Sequence, residues 1–417
     1  MPHSRTAQLW RSVIPEPGPV RGLAVAALTS RVGRGLFATV LPLYLTRSVG
    51  LPAGQVGVGL TLASLVGLAA GIPAGYLSDV LGPRGLRVAA RTAEALLLCG
   101  YVLLDSFAAF LVVACLVTLF ESAGLAAEGA LIAGSAAPEQ RVHTRAYLRS
   151  VNNAGWTLGA VIAGGALLAD TTRAYLVVVV IAAGCYLVSA AATMRVPAVA
   201  PVPRTKDGPR WVVLRDRPFV LLTLLNAVLG MNLGLFTVAL PLFITTHTKV
   251  PVALYSVIVL INSVSATVFQ VRASKGSDTV RGAATAQLRS GILLAGCCGL
   301  WALADGRSVW LAAAFLLVGA GVHVAGELFQ SAGAWGLSFE LAPEHAVGQY
   351  QGMFGVGRDL GQILTPMVAT TAMVSGGWFG CLLLGAMFLV AGTAVPPAAR
   401  WAENRMVRVG GAQEAAA

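Results

Sequence analysis

Long apolar runs separated by short polar gaps constrain this chain more than any other feature. A helix needs about 20 mostly apolar residues to cross the hydrocarbon core of a bilayer. Twelve stretches meet that need: 22–46, 55–77, 88–107, 109–134, 150–169, 174–194, 218–244, 252–271, 288–304, 309–338, 350–374 and 378–396. The runs are continuously apolar rather than alternating, which favours helices over the strands of a barrel. The weakest are 88–107, which carries Arg91 and Glu94, and 288–304, which carries Arg289.

Composition agrees with a lipid solvent. The chain is 56% hydrophobic and 11% charged over 417 residues, against roughly 25% charged in ordinary soluble domains. A water-soluble fold so poor in charge would expose apolar patches and associate. The 48 glycines suit close approach of membrane helices. A net charge of +11 would suggest nucleic acid in a soluble protein. Here the basic residues fill the gaps between apolar runs, so no nucleic acid is expected. The six cysteines lie inside apolar runs without metal-ligand spacing and read as small hydrophobes. Neither a metal nor a cofactor is expected.

Orientation follows from the basic residues. With the N-terminus in the cytoplasm, 22 of the 29 Lys and Arg lie in cytoplasmic segments or at their helix ends. Arg47, Arg173, Lys249 and Arg307 lie outside, and Arg31, Arg34 and Arg358 lie within spans. This is the positive-inside bias, and it places both termini of a multi-pass cell-membrane protein in the cytoplasm. The segment 1–21 is polar and basic, and the run after it lacks a cleavage signal, so that run reads as a retained helix.

The longest break, 195–217, is Pro-rich and basic and reads as a cytoplasmic linker. It separates one set of six spans, 22–194, from another, 218–396, with a cytoplasmic tail at 397–417. The two sets repeat. "FATVLPLYLT" at Phe37–Thr46 answers "FTVALPLFIT" at Phe236–Thr245, an offset of 199 residues. The same offset pairs Pro52 with Pro251 and Ser78-Asp79 with Ser277-Asp278. Further on, "AAPEQ" at Ala136–Gln140 answers "LAPEH" at Leu341–His345, offset by 205. Four matches in chain order indicate an internal duplication. The expected fold is all-α and integral to the membrane: twelve transmembrane helices in two pseudo-symmetric six-helix bundles. Parallel repeats of this kind build transporters whose substrate site lies near mid-membrane.

The stretch "AAGIPAGYLSDVLGPRGLRVAAR" at Ala69–Arg91 is the cytoplasmic turn between the second and third spans. Gly75 and Gly82 allow close approach or a tight turn. Asp79 is a lone acid among Arg84, Arg87 and Arg91, and can bind a neighbouring Arg or sit at a helix N-terminus. Gly75-x-x-x-Asp79-x-x-Gly82-x-Arg84 resembles the signature loop between helices 2 and 3 of the major facilitator superfamily. Over the whole chain the resemblance includes twelve spans, a central linker and a degenerate second copy at Ser277-Asp278 with Arg281. It implies that Asp79, supported by Arg84, helps latch the two halves together on the cytoplasmic side when the carrier faces outward. The family usually has basic residues where this chain has Val80 and Pro83. A second stretch, "GWTLGAVIAGG" at Gly155–Gly165, resembles the glycine-rich motif of the family's drug and proton antiporters. The family has Gly-Pro where this chain has Gly159-Ala160. Gly155, Gly159 and Gly164 would leave a flat face for packing or sliding. "GQILTP" at Gly361–Pro366 falls near the same place in span 11, where Pro366 would kink the helix.

Ionisable residues within spans are expensive, roughly 2.5–3.5 kcal/mol each at a helix centre, and usually pair or face a cavity. The first set holds Arg31 and Arg34 in span 1 and Glu121 and Glu128 in span 4. At 1.5 Å of rise per residue, each Arg lies within about 3 Å in depth of one Glu. The expected pairs are Arg31–Glu128 and Arg34–Glu121. Each is either a structural bridge or a proton- or substrate-binding site, because desolvation and ion pairing act oppositely on a carboxylate's proton. Glu121 lies nearest mid-membrane. The second set holds His323 and Glu327, one turn apart in span 10, and Arg358-Asp359 in span 11, whose side chains point apart and need separate partners. Asn226, Asn232 and Asn262 offer hydrogen bonds. Phe37, Phe120, Trp156, Phe236 and Trp335 are aromatic candidates for a cavity lining.

No nucleophile motif, phosphate loop or paired-His motif points to an enzyme. The resemblance implies a secondary transporter working as a monomer in the lipid bilayer, with a small-molecule substrate. The reading it favours is proton-coupled export of a small amphipathic molecule. Import of a sugar, organic acid or amino acid is the alternative, and a non-transporting sensor a third.

Overall fold

The computed structural model describes residues 19–201 and 212–414. The expected N-terminal segment therefore lies almost wholly outside the described residues, as do the middle of the linker and the last three residues of the tail. Among the described residues every regular element is helical.

Among the described residues the long helices can be numbered as twelve, consistent with twelve spans. The first six are α1 (Pro19–Leu43), α2 (Ala53–Leu81), α3 (Pro83–Gly100), α4 (Phe107–Ser135), α5 (Pro138–Ala169) and α6 (Thr172–Met194). After a short turn at Val212–Arg215 come α7 (Arg217–His247), α8 (Ala253–Ala273), α9 (Val280–Ala304), α10 (Val309–Glu340), α11 (Val347–Thr370) and α12 (Gly376–Glu414). By length and hydropathy alone, nine segments of the described residues qualify as spans. Three features hide the rest. α3 carries Arg84, Arg87, Arg91 and Glu94, and α5 opens with Glu139, Arg141, Arg145 and Arg149. α11 and α12 merge into one apolar stretch, but Gly377 divides them with a φ of 53° that suits glycine.

Helix boundaries differ from the apolar runs for the same reason. α3 starts at Pro83 rather than 88, and α5 starts at Pro138 rather than 150. In both, a proline at the first helical position begins a charged turn that an apolar count skips. α12 continues through Pro396 and Pro397 to Glu414, so the tail expected from 397 begins as helix. α7 is not continuous: Arg217–Gly230 gives way to Asn232–Gly234, a π-helical turn at Leu235–Ala239, and Leu240–His247. Gly230, Asn232 and Gly234 are poor helix formers, and Pro241 lacks the N–H that would continue the ladder. α1 has a matching π-helical turn at Tyr44–Ser48, just past Pro42.

The chain divides into two compact units. One comprises residues within 1–138, 147–208 and 345–352, the other those within 139–146, 209–344 and 353–417. Inside the first, α1 packs on α6, α2 on α4, and α3 on both α4 and α6. Inside the second, α7 packs on α12, α8 on α10, and α9 on both α10 and α12. Each pairing recurs six helices later, which is the duplication expressed as packing. In the first unit, Leu36, Phe37, Val40 and Tyr44 of α1 join Leu98, Tyr101, Phe110, Val178 and Tyr186 in one apolar core.

Candidate functional site

The first unit buries charge beside that core. On α3, Arg87, Arg91 and Glu94 share a face at helical spacing, and they are 0%, 4% and 1% exposed. Glu121 and Glu128 stand two turns apart on α4, and Arg31 and Arg34 one turn apart on α1. Arg34 donates from Nη1 to Glu121 Oε2. Arg87 Nη1 lies 2.7 Å from Glu128 Oε2. Arg91 Nη1 donates to Glu94 Oε2 at 2.7 Å, and its guanidinium lies 5.6 Å from the centre of the Tyr186 ring. Gly124 makes room for it, since a Cβ there would come within 3.1 Å of Arg91 Nη2.

Depth along the axis thus predicts one partnership and misses the other. Arg34 meets Glu121, but Glu128 pairs with Arg87 instead of Arg31. The reason is lateral: α3 packs directly on α4, so an Arg on its facing side reaches Glu128 without crossing the unit. Arg31 lies within electrostatic reach of both Glu128 and Glu121. Sequence reading did not single out Arg87, Arg91 or Glu94 as site residues. Their shared face at four- and three-residue spacing was the available signal, and it also explains why this span scored so weakly as apolar.

The second unit mixes neutral polar groups with fewer charges. His323 and Glu327 stand on one face of α10. His323 is fully buried, stacked on Phe236 at 4.9 Å and near Trp301 at 5.9 Å, with Nε2 3.1 Å from the Asn232 carbonyl. Asn262 donates to Glu327 Oε2 at 2.9 Å. Among the described residues, no group of three His, Cys, Asp or Glu gathers to hold a metal. Asn226 Oδ1 accepts from Gln287 at 3.2 Å and Gln330 at 2.9 Å, and Asn232 donates to the Leu229 carbonyl. Arg358 and Asp359 also meet each other: the guanidinium folds back to its neighbour, 2.9 Å from Asp359 Oδ1. A long flexible stem outweighs the divergent directions of adjacent helical positions.

Asp79 is held by backbone. Gly348 N–H donates to its Oδ1 at 2.6 Å and Gln349 N–H to its Oδ2 at 3.0 Å. Both amides belong to the first turn of α11, so the carboxylate caps a helix N-terminus inside the first unit. Gly75 and Gly348 permit the approach: a Cβ on Gly75 would lie 2.2 Å from the Gly348 carbonyl oxygen. Gly82 ends α2 with a φ of 86°. Arg84 does not support Asp79. It donates to the Val196 carbonyl at 3.2 Å, fastening the segment after α6.

Two glycines of the α5 motif pack on α1. A Cβ on Gly159 would lie 2.2 Å from the Val32 carbonyl oxygen, and one on Gly155 2.9 Å from that of Leu28. Gly164 faces open space. The second unit repeats the contact, with Gly361 of α11 against Ala227 and Thr365 against Gly234 of α7. Of the aromatic candidates, Phe37 is buried edge-on to Tyr101, Phe236 stacks on His323, and Phe120 packs against Ala74, Ala90, Ala123 and Ala126. Trp335 is partly buried and Trp156 is 41% exposed.

Solved structures share this fold. The human organic anion transporter MFSD10 (TETRAN) is 17% identical, with 90% of this chain and 98% of that chain covered and a TM-score of 0.65. A bacterial homologue of the iron transporter ferroportin, outward-facing, is 14% identical, with 92% and 99% covered and a TM-score of 0.71. The transporter FucP in the outward conformation is 14% identical, with 94% and 99% covered and a TM-score of 0.72. No curated protein sequence matches the chain. The family model of the Major Facilitator Superfamily matches residues 23–366, most of the chain. Duplicated helix packing, buried membrane charges and that match lead to one conclusion: the chain belongs to the Major Facilitator Superfamily and is a secondary transporter.

Proposed function

We propose that this transporter exports a small amphipathic organic molecule by alternating access, driven by inward proton flow. The observation that carries the reading is the Arg34–Glu121 pair. Its side chains are 31% and 14% exposed, whereas those of Arg87–Glu128 are 0% and 5% and those of Arg91–Glu94 are 5% and 1%. Of these three pairs, it is the one open enough to exchange a proton or meet a substrate. An Arg-paired carboxylate can change protonation when a ligand alters its surroundings. Arg31 and Glu128 flank it, and His323, Glu327, Arg358 and Asp359 are the corresponding polar groups of the second unit. The Asp79 contact with Gly348 and Gln349 would act as a latch, released and remade in each cycle. Residues 22–194 and 218–396 would be the moving halves. The positive-inside bias supports a multi-pass cell-membrane protein with both termini cytoplasmic, and the proposed cycle needs a single copy of the chain.

Import of a polar nutrient is the second reading. It is favoured by the Asn226, Gln287 and Gln330 network, whose amides suit a hydroxylated solute. Proteoliposomes with an imposed pH gradient test the first reading. Export predicts gradient-driven substrate movement by the intact protein, lost or uncoupled in Glu121→Gln. Equal movement with and without the gradient removes proton coupling, and equal transport by both proteins removes Glu121.

A further inference from the structure

The charged interior of the first unit does not balance. Four guanidiniums, on Arg31, Arg34, Arg87 and Arg91, face three carboxylates, on Glu94, Glu121 and Glu128. The three ion pairs engage every carboxylate and leave Arg31 over. Arg31 is attracted by Glu128 and Glu121 and repelled by Arg91 and Arg34, but it makes no hydrogen bond or ion pair of its own among the described residues. Arginine does not lose its proton in proteins. The surplus is therefore a fixed positive charge at membrane depth, where ions persist by pairing or by facing water.

Hydrogen bonding leans the same way. Nε and Nη2 of Arg87 and Nε of Arg91 are buried without an acceptor among the described residues, against a single carboxylate oxygen of the cluster, Glu94 Oε1, without a donor. Access is one-sided. Arg87 and Arg91 are enclosed, whereas Arg31 is partly exposed and Arg34 is 31% exposed. Gly155 of α5 lies against Cβ of Arg31, so α5 runs directly beside that residue.

We infer that Arg31, flanked by Arg34, is the recognition site for an anionic group on the transported molecule: a carboxylate, sulfonate or phosphate carried on an apolar or aromatic body. The inference rests on the transport reading above and assigns the charge of its substrate. A planar guanidinium offers such groups paired N–H donors. A cationic substrate would instead meet four arginines, and a neutral one would leave Arg31 without a counter-charge.

Two permanently charged probes of similar size separate these cases: naphthalene-2-sulfonate and (naphthalen-2-ylmethyl)trimethylammonium. Binding is read by titrating the thermal stability of the purified chain in detergent, and transport by uptake into proteoliposomes. The sulfonate should bind and move while the ammonium does neither. Arg31→Gln should weaken sulfonate binding at least tenfold, and Arg31→Lys should fall between, with both variants checked for an unchanged gel-filtration profile. If the ammonium moves and the sulfonate is ignored, the chain is a transporter without this site. If the sulfonate binds but is not moved, the anion site stands and transport of this class fails. Binding of neither probe, stabilisation by millimolar chloride equal to that by the sulfonate, or unchanged sulfonate affinity in Arg31→Gln each overturns the inference.

Discussion

At the scale of single residues, two ion pairs of the same chemistry differ in their access to solvent. Arg87–Glu128 is sealed from solvent, with side chains 0% and 5% exposed, while Arg34–Glu121 is partly open. Breaking a buried pair strands one charge and costs about 3–5 kcal/mol. Arg87→Met should therefore lower the thermal unfolding midpoint in detergent sharply, and Arg87→Met with Glu128→Gln should recover most of the loss. Glu121→Gln should cost less stability while changing transport. If Arg87→Met proves harmless, the sealed pair is not structural. Residue-level legibility was partial for a physical reason. Axial depth is readable from chain position, which locates Arg34 opposite Glu121. Which helix lies beside which is not, so the Arg87–Glu128 partnership stayed hidden, as did the backbone amides that hold Asp79.

At the scale of elements, close helix contacts depend on absent side chains. Gly159 and Gly164 belong to one sequence motif, yet the first lies against Val32 and the second faces open space. Gly159→Leu should abolish the monodisperse folded protein or drop its unfolding midpoint by many degrees, and Gly164→Leu should leave both nearly unchanged. Equal behaviour of the two variants would contradict the packing of α5 on α1. The cap on α11 makes a second case. Asp79→Asn removes the charge–dipole attraction, about 0.3–1 kcal/mol at an exposed helix end and up to about 2 when partly buried. Amide exchange at Gly348 and Gln349 should accelerate accordingly, and unchanged exchange would count against the cap. Helix existence was legible from apolar runs, while the charged starts of α3 and α5 were not, because their first turns look like loop to a hydropathy count. The interruption of α7 had its signal in Gly230, Asn232, Gly234 and Pro241.

At the scale of the whole molecule, duplication was legible in offsets of 199 and 205 residues and reappears as helix pairings that recur six helices on. The repeat carries architecture more than chemistry: the first unit is built around arginines and glutamates, the second around amides, a buried histidine, Glu327 and the Arg358–Asp359 pair. The account's central claim is that the first unit keeps its ions around an interior that water reaches. Cysteine placed at Glu121 in a background without the six native cysteines tests it most directly. The prediction is rapid reaction with a charged, membrane-impermeant methanethiosulfonate in proteoliposomes, slowed by naphthalene-2-sulfonate, while cysteine at the exposed Val112 of the same helix reacts only with a lipid-soluble maleimide. Inertness at position 121 toward the aqueous reagent, together with quenching of a label there by spin-labelled acyl chains, would contradict it.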